Sequence, residues 1–378
     1  MRRLVLLSVN NSWNILNFRA GMVRRLQDAG YDVSVVSPAD AHAPELAALG
    51  VVHIPAAIDS KGLSPIGDLR LLVRYWRVLR QERPAALLTW TIKPNIYGSI
   101  AAHLLGIPVI NNVSGLGTAF IHKGLLTRLV SALYVLAFSR SARVFFQNPE
   151  DLRTFVDGRL VAERRAGLLP GSGIDTDWFS PSPASEFDPQ PARPFVFLLV
   201  ARLLRDKGLV EYADAARLMR GAWPDVRFQL LGSLDAANRT AIGRAELAAW
   251  IEEGLIDYLG EVADVRPHVH AADCIVLPSY REGMPRSLLE GAAMGKPLIA
   301  TRVPGCVEIA RDGRNALLCE PRDARSLADA MTRMIELPQA ERDALGAEGR
   351  RIAVAEFAER LVTDRYLKVV DALSIAPR

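Results

Sequence analysis

The sequence predicts an α/β protein made of two parallel-sheet domains, and three observations support this fold class. The chain has 378 residues, more than one ordinary hydrophobic core accommodates. Apolar runs of strand length alternate with amphipathic helical stretches. A segment rich in Pro, Ser and Gly interrupts this alternation near the middle of the chain, and the alternation then resumes. We therefore expect two Rossmann-like domains facing each other across a cleft.

The first domain is predicted over residues 1–173. The run RLVLLSV is typical of a buried strand, and NFRAGMVRRLQDAGY of a helix with Phe18, Met22 and Leu26 on one face. Further strands are predicted at DVSVVSP, VVHIPA, ALLTWT and IPVINNV, and further helices at APELAALG, at DLRLLVRYWRVLRQERP and near 95–105. This order indicates β-α-β units with right-handed crossovers, which make neighbouring strands parallel.

The second domain is predicted over residues 195–354, after a linker at 174–194 that lacks periodicity. Its strands are FVFLLVAR, VRFQLLG, IDYLG, CIVLPS and PLIATR, with helices at VEYADAARLMRGAW, ELAAWIEEGL and SLLEGAAMG. The final segment, 355–378, is predicted to be a helix that either ends the second domain or crosses back to the first. In paired domains of this kind a ligand binds at the carboxyl ends of the strands.

Charge is distributed unevenly along the chain. Residues 1–173 contain 20 Lys and Arg against 11 Asp and Glu, a balance of +9, and the remainder has a balance of −5. This asymmetry indicates either an anionic partner of the first domain or a chance placement of solvated charge. No nucleic-acid partner is expected. The apolar stretch LLTRLVSALYVLAFSR is interrupted by Arg128 and is shorter than the roughly 20 residues of a spanning helix, so no transmembrane segment is predicted.

Neither a disulfide nor a metal site is predicted. The three cysteines are Cys274, Cys306 and Cys319. Their spacing fits neither a disulfide framework nor a zinc site, which indicates a reducing compartment. His268 and His270 are two residues apart on a predicted helix and do not share a face. Asp175 and Asp177 form an Asp-x-Asp pair within the linker, where we expect them to support a turn.

Two cations follow the first strand of the second domain. In VARLLRDKG, Arg202 and Lys207 lie at a strand end, in the turn before a helix. Two positive charges beside the amide groups of a helix N-terminus suit a diphosphate. The alternative is a pair of solvated loop charges.

Two glutamates lie eight residues apart in PSYREGMPRSLLEGAAMG. Glu282 is in a loop rich in Gly and Pro, and Glu290 is in a predicted helix that ends at Gly295. Glu290 is either a surface residue or, since its neighbours are Leu and Ala, a buried carboxylate that vicinal hydroxyls of a ligand would satisfy. The spacing alone leaves an acid/base pair, a metal site and a substrate contact open.

Together these motifs resemble the family-4 retaining glycosyltransferases of GT-B fold. The R-x4-K of ARLLRDKG precedes the E-x7-E of EGMPRSLLE, and GSGIDTDWFSP is similar to the family's G-x-D-x-x-x-F-x-P pattern, so the likeness covers nearly the whole chain. It implies that the second domain binds a UDP-sugar donor, with the diphosphate on Arg202 and Lys207 and the ribose on Glu290. Glu282 would contact the donor sugar, and Arg202, Lys207 and Glu282 are the predicted catalytic residues.

The resemblance implies further donor contacts and no cofactor. The backbone of Gly283 and Met284, with Pro285, would lie at the donor sugar. Val262, in YLGEVADV, would contact the nucleobase. The first strand is followed by NNSWNILNFR, which lacks the G-x-G-x-x-G of a nicotinamide enzyme and offers Asn14 to the donor. No metal is expected, because cations and helix amides would stabilise the leaving diphosphate.

Strand-end loops of the first domain supply the acceptor candidates. These are Asn17, Lys93, Asn95, Ser114 and Gly115. Lys93 suits an anionic acceptor or is a solvated loop lysine. The stretch IKPNIYGSIAAHLLGIPVINNVSGLG, with PSYREGMPRSLLEG, resembles bacterial enzymes that add a sugar, often an N-acetylhexosamine, to undecaprenyl-diphosphate-linked glycans.

A predicted helix of the first domain has a basic stripe. It consists of Arg70, Arg74, Arg77 and Arg80. Leu72, Tyr75, Trp76 and Leu79 form an apolar stripe that we expect to pack inward. The arginines form either a patch facing anionic lipid or the solvated face of a sheet-packing helix. The first reading predicts a cytoplasmic protein bound peripherally at the inner face of the plasma membrane.

The predicted function is retaining, metal-independent transfer of a hexose or N-acetylhexosamine from a UDP-sugar to a polyprenyl-diphosphate-linked glycan. Such a step belongs to the assembly of bacterial surface polysaccharides or glycoprotein glycans. Two alternatives stay open: a UDP-sugar epimerase of the same fold, which needs no lipid acceptor, and a non-catalytic sugar-binding protein, which needs no UDP.

Overall fold

The structure, a computed structural model, describes residues 3–59, 64–115, 125–181, 193–234, 238 and 240–375. They divide into two compact units. Unit 1 is Met1–Gly173 with Glu359–Arg378, and unit 2 is Ile174–Ala358. Each unit has a parallel sheet with helices packed against it, which confirms the predicted α/β class with two parallel-sheet domains.

The sheet of unit 1 has seven parallel strands within the described residues. They are β1 (Leu4–Ser8), β2 (Asp32–Ser37), β3 (Val52–Pro55), β4 (Ala86–Trp90), β5 (Val109–Val113), β6 (Arg143–Phe146) and β7 (Ala166–Leu168). Their order is β3-β2-β1-β4-β5-β6-β7. Strands β1, β4 and β5 are buried along their whole length, because both faces of a parallel sheet are covered. The sequence predicted the first five strands, whereas β6 and β7 are short and escaped prediction.

Within the described residues, six α-helices of unit 1 precede the mid-chain crossing. They are α1 (Trp13–Phe18), α2 (Ala20–Asp28), α3 (Pro65–Glu82), α4 (Ser99–Leu104), α5 (Leu125–Phe138) and α6 (Pro149–Asp157). The single helix predicted after β1 is split at Arg19, whose φ of −136° leaves the helical region. The predicted helix APELAALG is a 3₁₀ helix, Ala43–Leu49. The helix near 95–105 begins as a π-helical turn, Pro94–Gly98, and continues as α4.

The described part of unit 2 repeats this architecture with six parallel strands. They are β8 (Val196–Val200), β9 (Arg227–Leu231), β10 (Asp257–Tyr258), β11 (Cys274–Leu277), β12 (Leu298–Thr301) and β13 (Ala316–Cys319), in the order β10-β9-β8-β11-β12-β13. The helices are α7 (Leu209–Met219), α8 (Arg244–Glu252), α9 (Arg266–Ala271), α10 (Arg286–Ala293), α11 (Ala324–Glu336) and α12 (Gln339–Glu356). The sequence prediction omitted β13, α11 and α12.

The chain passes between the units at positions that differ from the predicted linker and final helix. Ile174 is buried and its N–H donates to Phe357 O over 2.8 Å, so the segment 174–181 belongs to unit 2. The remainder of the predicted linker lies largely outside the described residues. The last helix, α13 (Glu359–Ile375), packs in the core of unit 1, which is the return predicted as one alternative. It begins later than residue 355, because Ala358 still pairs with Ile174 in a β-bridge.

No helix within the described residues is long and apolar enough to cross a membrane. The three cysteines, all of which are described, are free and buried.

Candidate active site

Three loops converge at one edge of the unit 2 sheet. They follow β8, β11 and β12, which are adjacent parallel strands, so their carboxyl ends lie side by side. The loop after β8 contains Arg202 and Lys207, the loop after β11 contains Glu282, and α10 with Glu290 follows it. The topology thus brings together four residues that the sequence distributes over almost ninety positions.

Lys207 and Glu282 form an ion pair between the first two of these loops. The side chains are 21% and 11% exposed, so the pair is largely withdrawn from water. The sequence assigned Lys207 to a diphosphate and Glu282 to a sugar, and it did not reveal that the two are in direct contact. A ligand bound here would contact the Lys207 ammonium and the Glu282 carboxylate as an ion pair.

Two glycines allow the backbones of these loops to approach. Gly208 has φ +74°, and a Cβ there would lie 2.0 Å from Pro278 O. Gly305, in the loop after β12, has φ +87°, and its Cβ would lie 2.4 Å from Glu282 O. The Glu282 N–H donates to Pro304 O over 3.2 Å. Glu282 is therefore held from two sides, by Lys207 and by the loop after β12.

Glu290 lies in α10 and is 9% exposed, which decides between the two readings left open by the sequence. Arg286 Nε donates to Glu290 Oε1 over 3.0 Å, one helical turn away. Burial raises the pKa of the Glu290 carboxyl; Arg286 opposes this shift and Asp264 adds to it. The partner of the buried carboxylate is thus Arg286, a residue that the sequence analysis missed although its i, i+4 spacing signals the pair.

Arg202 stays exposed at the end of β8. Gly232, at the end of the neighbouring β9, lies so close that a Cβ there would be 1.8 Å from Ala201 O. The close approach fixes the backbone beside Arg202 while its side chain remains at the surface. It is thus suited to meet an anion from solution.

The remaining candidates of unit 2 lie around the start of α10 and the end of β10. Gly283 and Pro285 are buried, and Met284 packs against the core. Pro285 is the N-cap residue of α10, so Gly283 and Met284 immediately precede the positive end of a helix. Val262 is half-buried against the same core. The assignment of these four residues to a donor remains a prediction.

In unit 1, Asn14 and Asn17 lie on α1. Asn14 Oδ1 is buried and has no hydrogen-bond partner among the described residues. Asn17 is exposed, and its Nδ2 donates to Trp13 O over 3.1 Å. Their predicted contacts with donor and acceptor remain predictions.

Lys93 and Asn95 differ from the sequence expectation that both are offered to an anionic acceptor. Lys93 Nζ lies 2.7 Å from Asp68 Oδ1 and the side chain is 14% exposed, because Asp68 on α3 faces it. Asn95 is buried; its Oδ1 accepts from Thr89 Oγ1 over 2.7 Å and its Nδ2 donates to Asn112 O over 2.8 Å. Both side chains make their contacts within unit 1, so the alternative of a solvated loop lysine is wrong for Lys93.

Ser114 and Gly115 end the described part of their loop. Ser114 Oγ donates to Asn112 Oδ1 over 2.8 Å, and Gly115 has φ +137°. The remainder of the predicted loop 111–120 lies outside the described residues.

The Asp-x-Asp pair has the turn role expected for it. Asp175 Oδ1 accepts from the N–H groups of Asp177 (3.0 Å) and Trp178 (2.9 Å). His268 and His270 lie on α9. Across the described ranges, no three His, Cys, Asp or Glu side chains are grouped so that they could hold a metal ion.

Helix α3 exposes all four arginines of the predicted stripe. Of the predicted inward face, Tyr75 and Leu79 are buried, whereas Leu72 and Trp76 are only half-buried. Three large apolar side chains of α3 that were not predicted to be exposed also lie at the surface: Ile66, Leu69 and Val73. Helix α5 exposes three more: Leu129, Val135 and Leu136.

Two sequence families match the chain, one in each unit. Residues 4–148 match the family described as glycosyl transferase 4-like, and residues 194–337 match the family described as glycosyl transferases group 1. The second range contains the three converging loops with Arg202, Lys207, Glu282 and Glu290.

Curated relatives and solved structures agree with these matches. The chain is 27% identical over 374 residues to the Campylobacter jejuni N,N'-diacetylbacillosaminyl-diphospho-undecaprenol alpha-1,3-N-acetylgalactosaminyltransferase, covering 95% of this chain and 96% of the relative. It is 25% identical to the Escherichia coli UDP-Gal:alpha-D-GlcNAc-diphosphoundecaprenol alpha-1,3-galactosyltransferase, over 73% of each chain. The crystal structure of Anabaena HepE in complex with UDP superposes with a TM-score of 0.78, at 19% identity, over 98% of this chain and all of that one. The superposition shows a shared fold.

Proposed function

Because the chain belongs to the glycosyltransferases with the GT-B fold, of the family 4 group, we propose that it transfers a glycosyl group from a UDP-sugar to a polyprenyl-diphosphate-linked glycan, with retention at the anomeric carbon. The observation that carries this proposal is the convergence of Arg202, Lys207, Glu282 and Glu290 at the carboxyl edge of the unit 2 sheet.

In this proposal the donor lies along that edge. Arg202 and Lys207 bind the diphosphate, beside the N-terminus of α7, whose free amide groups add positive potential. Glu290 binds the ribose hydroxyls, which would donate hydrogen bonds to its buried carboxylate beside Arg286. Glu282 binds the sugar, with the backbone of Gly283 and Met284 at the start of α10.

The chemical step breaks the bond between the anomeric carbon and the β-phosphate oxygen. Negative charge develops on the departing UDP, and Arg202 and Lys207 stabilise it; one such contact is typically worth about 3 kcal/mol in the transition state. The acceptor hydroxyl attacks from the face that UDP leaves and gives its proton to the departing phosphate oxygen. In this scheme the two cations supply the charge stabilisation, and no divalent metal or protein nucleophile is required.

The surroundings of the two glutamates support a route without a covalent intermediate. Glu282 is paired with Lys207, and Glu290 is paired with Arg286 and has a raised pKa. A double displacement would need an unencumbered carboxylate at the anomeric carbon. We therefore assign both glutamates to binding.

The acceptor proposal draws on the two relatives and on the surface of unit 1. Both relatives are named for acceptors linked to diphospho-undecaprenol, but one name specifies N-acetylgalactosamine and the other galactose as the transferred sugar. We propose that α3 and α5 lie on the cytoplasmic face of the plasma membrane, where such an acceptor is embedded. The exposed arginines of α3 would each gain about 1 kcal/mol near an anionic surface, and the exposed apolar side chains of both helices would enter its interface.

An acceptor-dependent assay tests the proposal. The purified chain is incubated with UDP-N-acetylhexosamines and UDP-hexoses, with and without undecaprenyl-diphosphate-linked saccharides, and UDP release and the lipid product are measured. We expect thermal stabilisation by UDP and UDP release that requires the lipid-linked acceptor. Interconversion of UDP-sugars without acceptor would instead identify an epimerase, and sugar binding without UDP affinity would identify a binding protein. Addition of EDTA should leave the rate unchanged.

A further inference from the structure

Tyr280 and Glu211 form a hydrogen bond close to the donor site that no motif indicates. Tyr280 is in the loop after β11, two residues before Glu282, and Glu211 is in the first turn of α7. Tyr280 Oη donates to Glu211 Oε1 over 2.6 Å. The bond therefore connects the loop of Glu282 to the helix that follows the loop of Lys207.

The Tyr280 phenol acts as the hydrogen-bond donor in this contact. Burial and the Glu211 carboxylate raise the pKa of the Tyr280 phenol, so the phenol keeps its proton at neutral pH. Glu211 Oε2 is buried and has no hydrogen-bond partner in the described part of the chain. The guanidinium carbon of Arg322 lies 4.7 Å from the centre of the Tyr280 ring and covers it. Loss of the phenol would remove the hydrogen bond that Tyr280 donates to the Glu211 carboxylate.

Two more contacts join the same loops at Asp206, the residue before Lys207. The Tyr280 N–H donates to Asp206 O over 2.9 Å, and Ser279 Oγ donates to the same oxygen over 3.0 Å. Tyr280 thus contacts the loop of Lys207 through its backbone and α7 through its side chain. These contacts join the two loops in addition to the direct ion pair between Lys207 and Glu282.

We propose that Tyr280 and Glu211 are positioning residues for the transfer reaction: their hydrogen bond holds the loop after β11 against α7, so that Lys207 and Glu282 keep the spacing that the donor requires. The inference rests on the proposed function, and it assigns neither residue a contact with substrate. Its physical basis is preorganisation, because a catalytic group displaced by about 1 Å can lower a rate by about 100-fold.

The test compares three substitutions in the full-length protein. Tyr280→Phe removes the phenol oxygen and keeps the ring beneath Arg322, and we expect kcat to fall about 10- to 30-fold while the dissociation constant of UDP changes less than about twofold. Glu211→Leu should reproduce this loss. Glu211→Gln keeps an acceptor oxygen for the phenol and should retain at least about a third of the wild-type kcat.

The double variant distinguishes a pair from two independent residues. Because both single substitutions break the same hydrogen bond, Tyr280→Phe combined with Glu211→Leu should be no slower than the slower single variant, to within about threefold. Losses that multiply in the double variant would contradict a shared role.

Tyr31 supplies a matched control in unit 1. Tyr31 Oη donates to Asp371 Oδ1 over 2.7 Å, the same kind of bond between a phenol and a carboxylate. Tyr31→Phe should lower the free energy of unfolding to a similar degree and leave kcat per folded molecule unchanged. If Tyr280→Phe behaved in the same way, its bond would be purely structural and the proposal would be overturned.

Amide hydrogen exchange gives a readout that does not depend on turnover. Tyr280→Phe should increase the exchange rate of the amides in residues 278–285 and leave those of β1 and β4 unchanged. Unchanged exchange in this loop overturns the positioning role, even where kcat falls, since the phenol would then act on the ligand directly. If the wild-type protein transfers no sugar from any donor, the proposed function fails, and the exchange result still decides whether the pair fixes the loop.

Discussion

The parallel sheets of the two units have similar strand orders, but the polar side chains at their strand ends differ, apart from the Lys93–Asp68 ion pair after β4 of unit 1. In unit 2 the loops after neighbouring strands carry charged side chains that meet each other, as Lys207 and Glu282 do. In unit 1, strands β4 and β5 carry buried neutral polar side chains that form a hydrogen-bond network around Asn111. Asn111 Nδ2 donates to Thr89 Oγ1 (2.8 Å) and Ser99 Oγ (2.7 Å), and its Oδ1 accepts from Ser141 Oγ (2.6 Å).

The difference teaches how to read polar residues at the carboxyl edge of a parallel sheet. A buried neutral network of this kind rigidifies the loops that it joins, because each member is satisfied and the loss of one leaves several others unpaired. Charged residues at the same edge have a higher desolvation cost and are retained where a ligand uses them. The comparison thus supports the proposal that unit 2 holds the donor, and we expect the network of unit 1 to support its loops.

The largest expected effect is that of Lys207→Ala. The substitution removes a cation from the proposed diphosphate site and the ion-pair partner of the mostly buried Glu282, so we expect kcat/KM for transfer to fall at least about 100-fold. Steady-state UDP release measures it, with circular dichroism to verify folding. Arg205→Ala is the matched control, since Arg205 lies in the same loop but pairs with Glu246 at the surface; its rate should stay within about twofold of wild type. Equal losses in the two variants would remove the special role of Lys207.

Asn111→Leu tests the other side of the comparison. It leaves the hydroxyls of Ser99, Ser141 and Thr89 with fewer partners in a fully buried site, so the free energy of unfolding should fall by about 2–4 kcal/mol. Urea denaturation measures this, with the exposed Asn17→Ala as a control that should change stability by less than about 0.5 kcal/mol. Transfer per folded molecule should stay within about threefold of wild type. A stable variant that has lost transfer would show that the network belongs to the acceptor site.

The sequence predicts the candidate site of unit 2 better than the side-chain contacts of unit 1. The two β-α-β series and the convergence of Arg202, Lys207, Glu282 and Glu290 could be predicted, because strand periodicity and motif order are local or sequential signals. The partners within unit 1 could not: Lys93 meets Asp68 from a helix 25 residues earlier, and nothing in TWTIKPNIYGS indicates it. The strands β6, β7 and β13 were also missed, and their length is not the reason, since β3 and β10 are as short and were predicted.

The exposed arginines of α3 in unit 1 are available to an anionic membrane surface. Arg70 and Arg77 on α3 are exposed, and replacing both with Gln should weaken binding to vesicles with phosphatidylglycerol by about 30-fold, since each contributes about 1 kcal/mol. Vesicle co-sedimentation measures the change. The control is the removal of two exposed arginines from α11 of unit 2, Arg325→Gln with Arg333→Gln, which should leave binding unchanged. Equal losses would indicate that only net charge matters.

The smallest expected effect concerns the pH dependence of Glu290. Its pKa is raised in the folded state, so folding favours the protonated carboxyl, and the stability associated with it declines as pH rises from the unfolded value of 4.5 through the folded value. Glu290→Gln removes this ionisation and should therefore gain stability relative to wild type as pH rises above 4.5, measured by urea denaturation at several pH values.

Glu348→Gln provides the opposite sign, because Arg351 and Arg314 lower the pKa of Glu348 to about 2. The stability that this group contributes is present above 4.5 and is lost as pH falls towards 2. Parallel slopes in the two variants would mean that neither carboxyl is governed by its own surroundings, and the distinction between a buried carboxylate and a surface ion pair in unit 2 would fail.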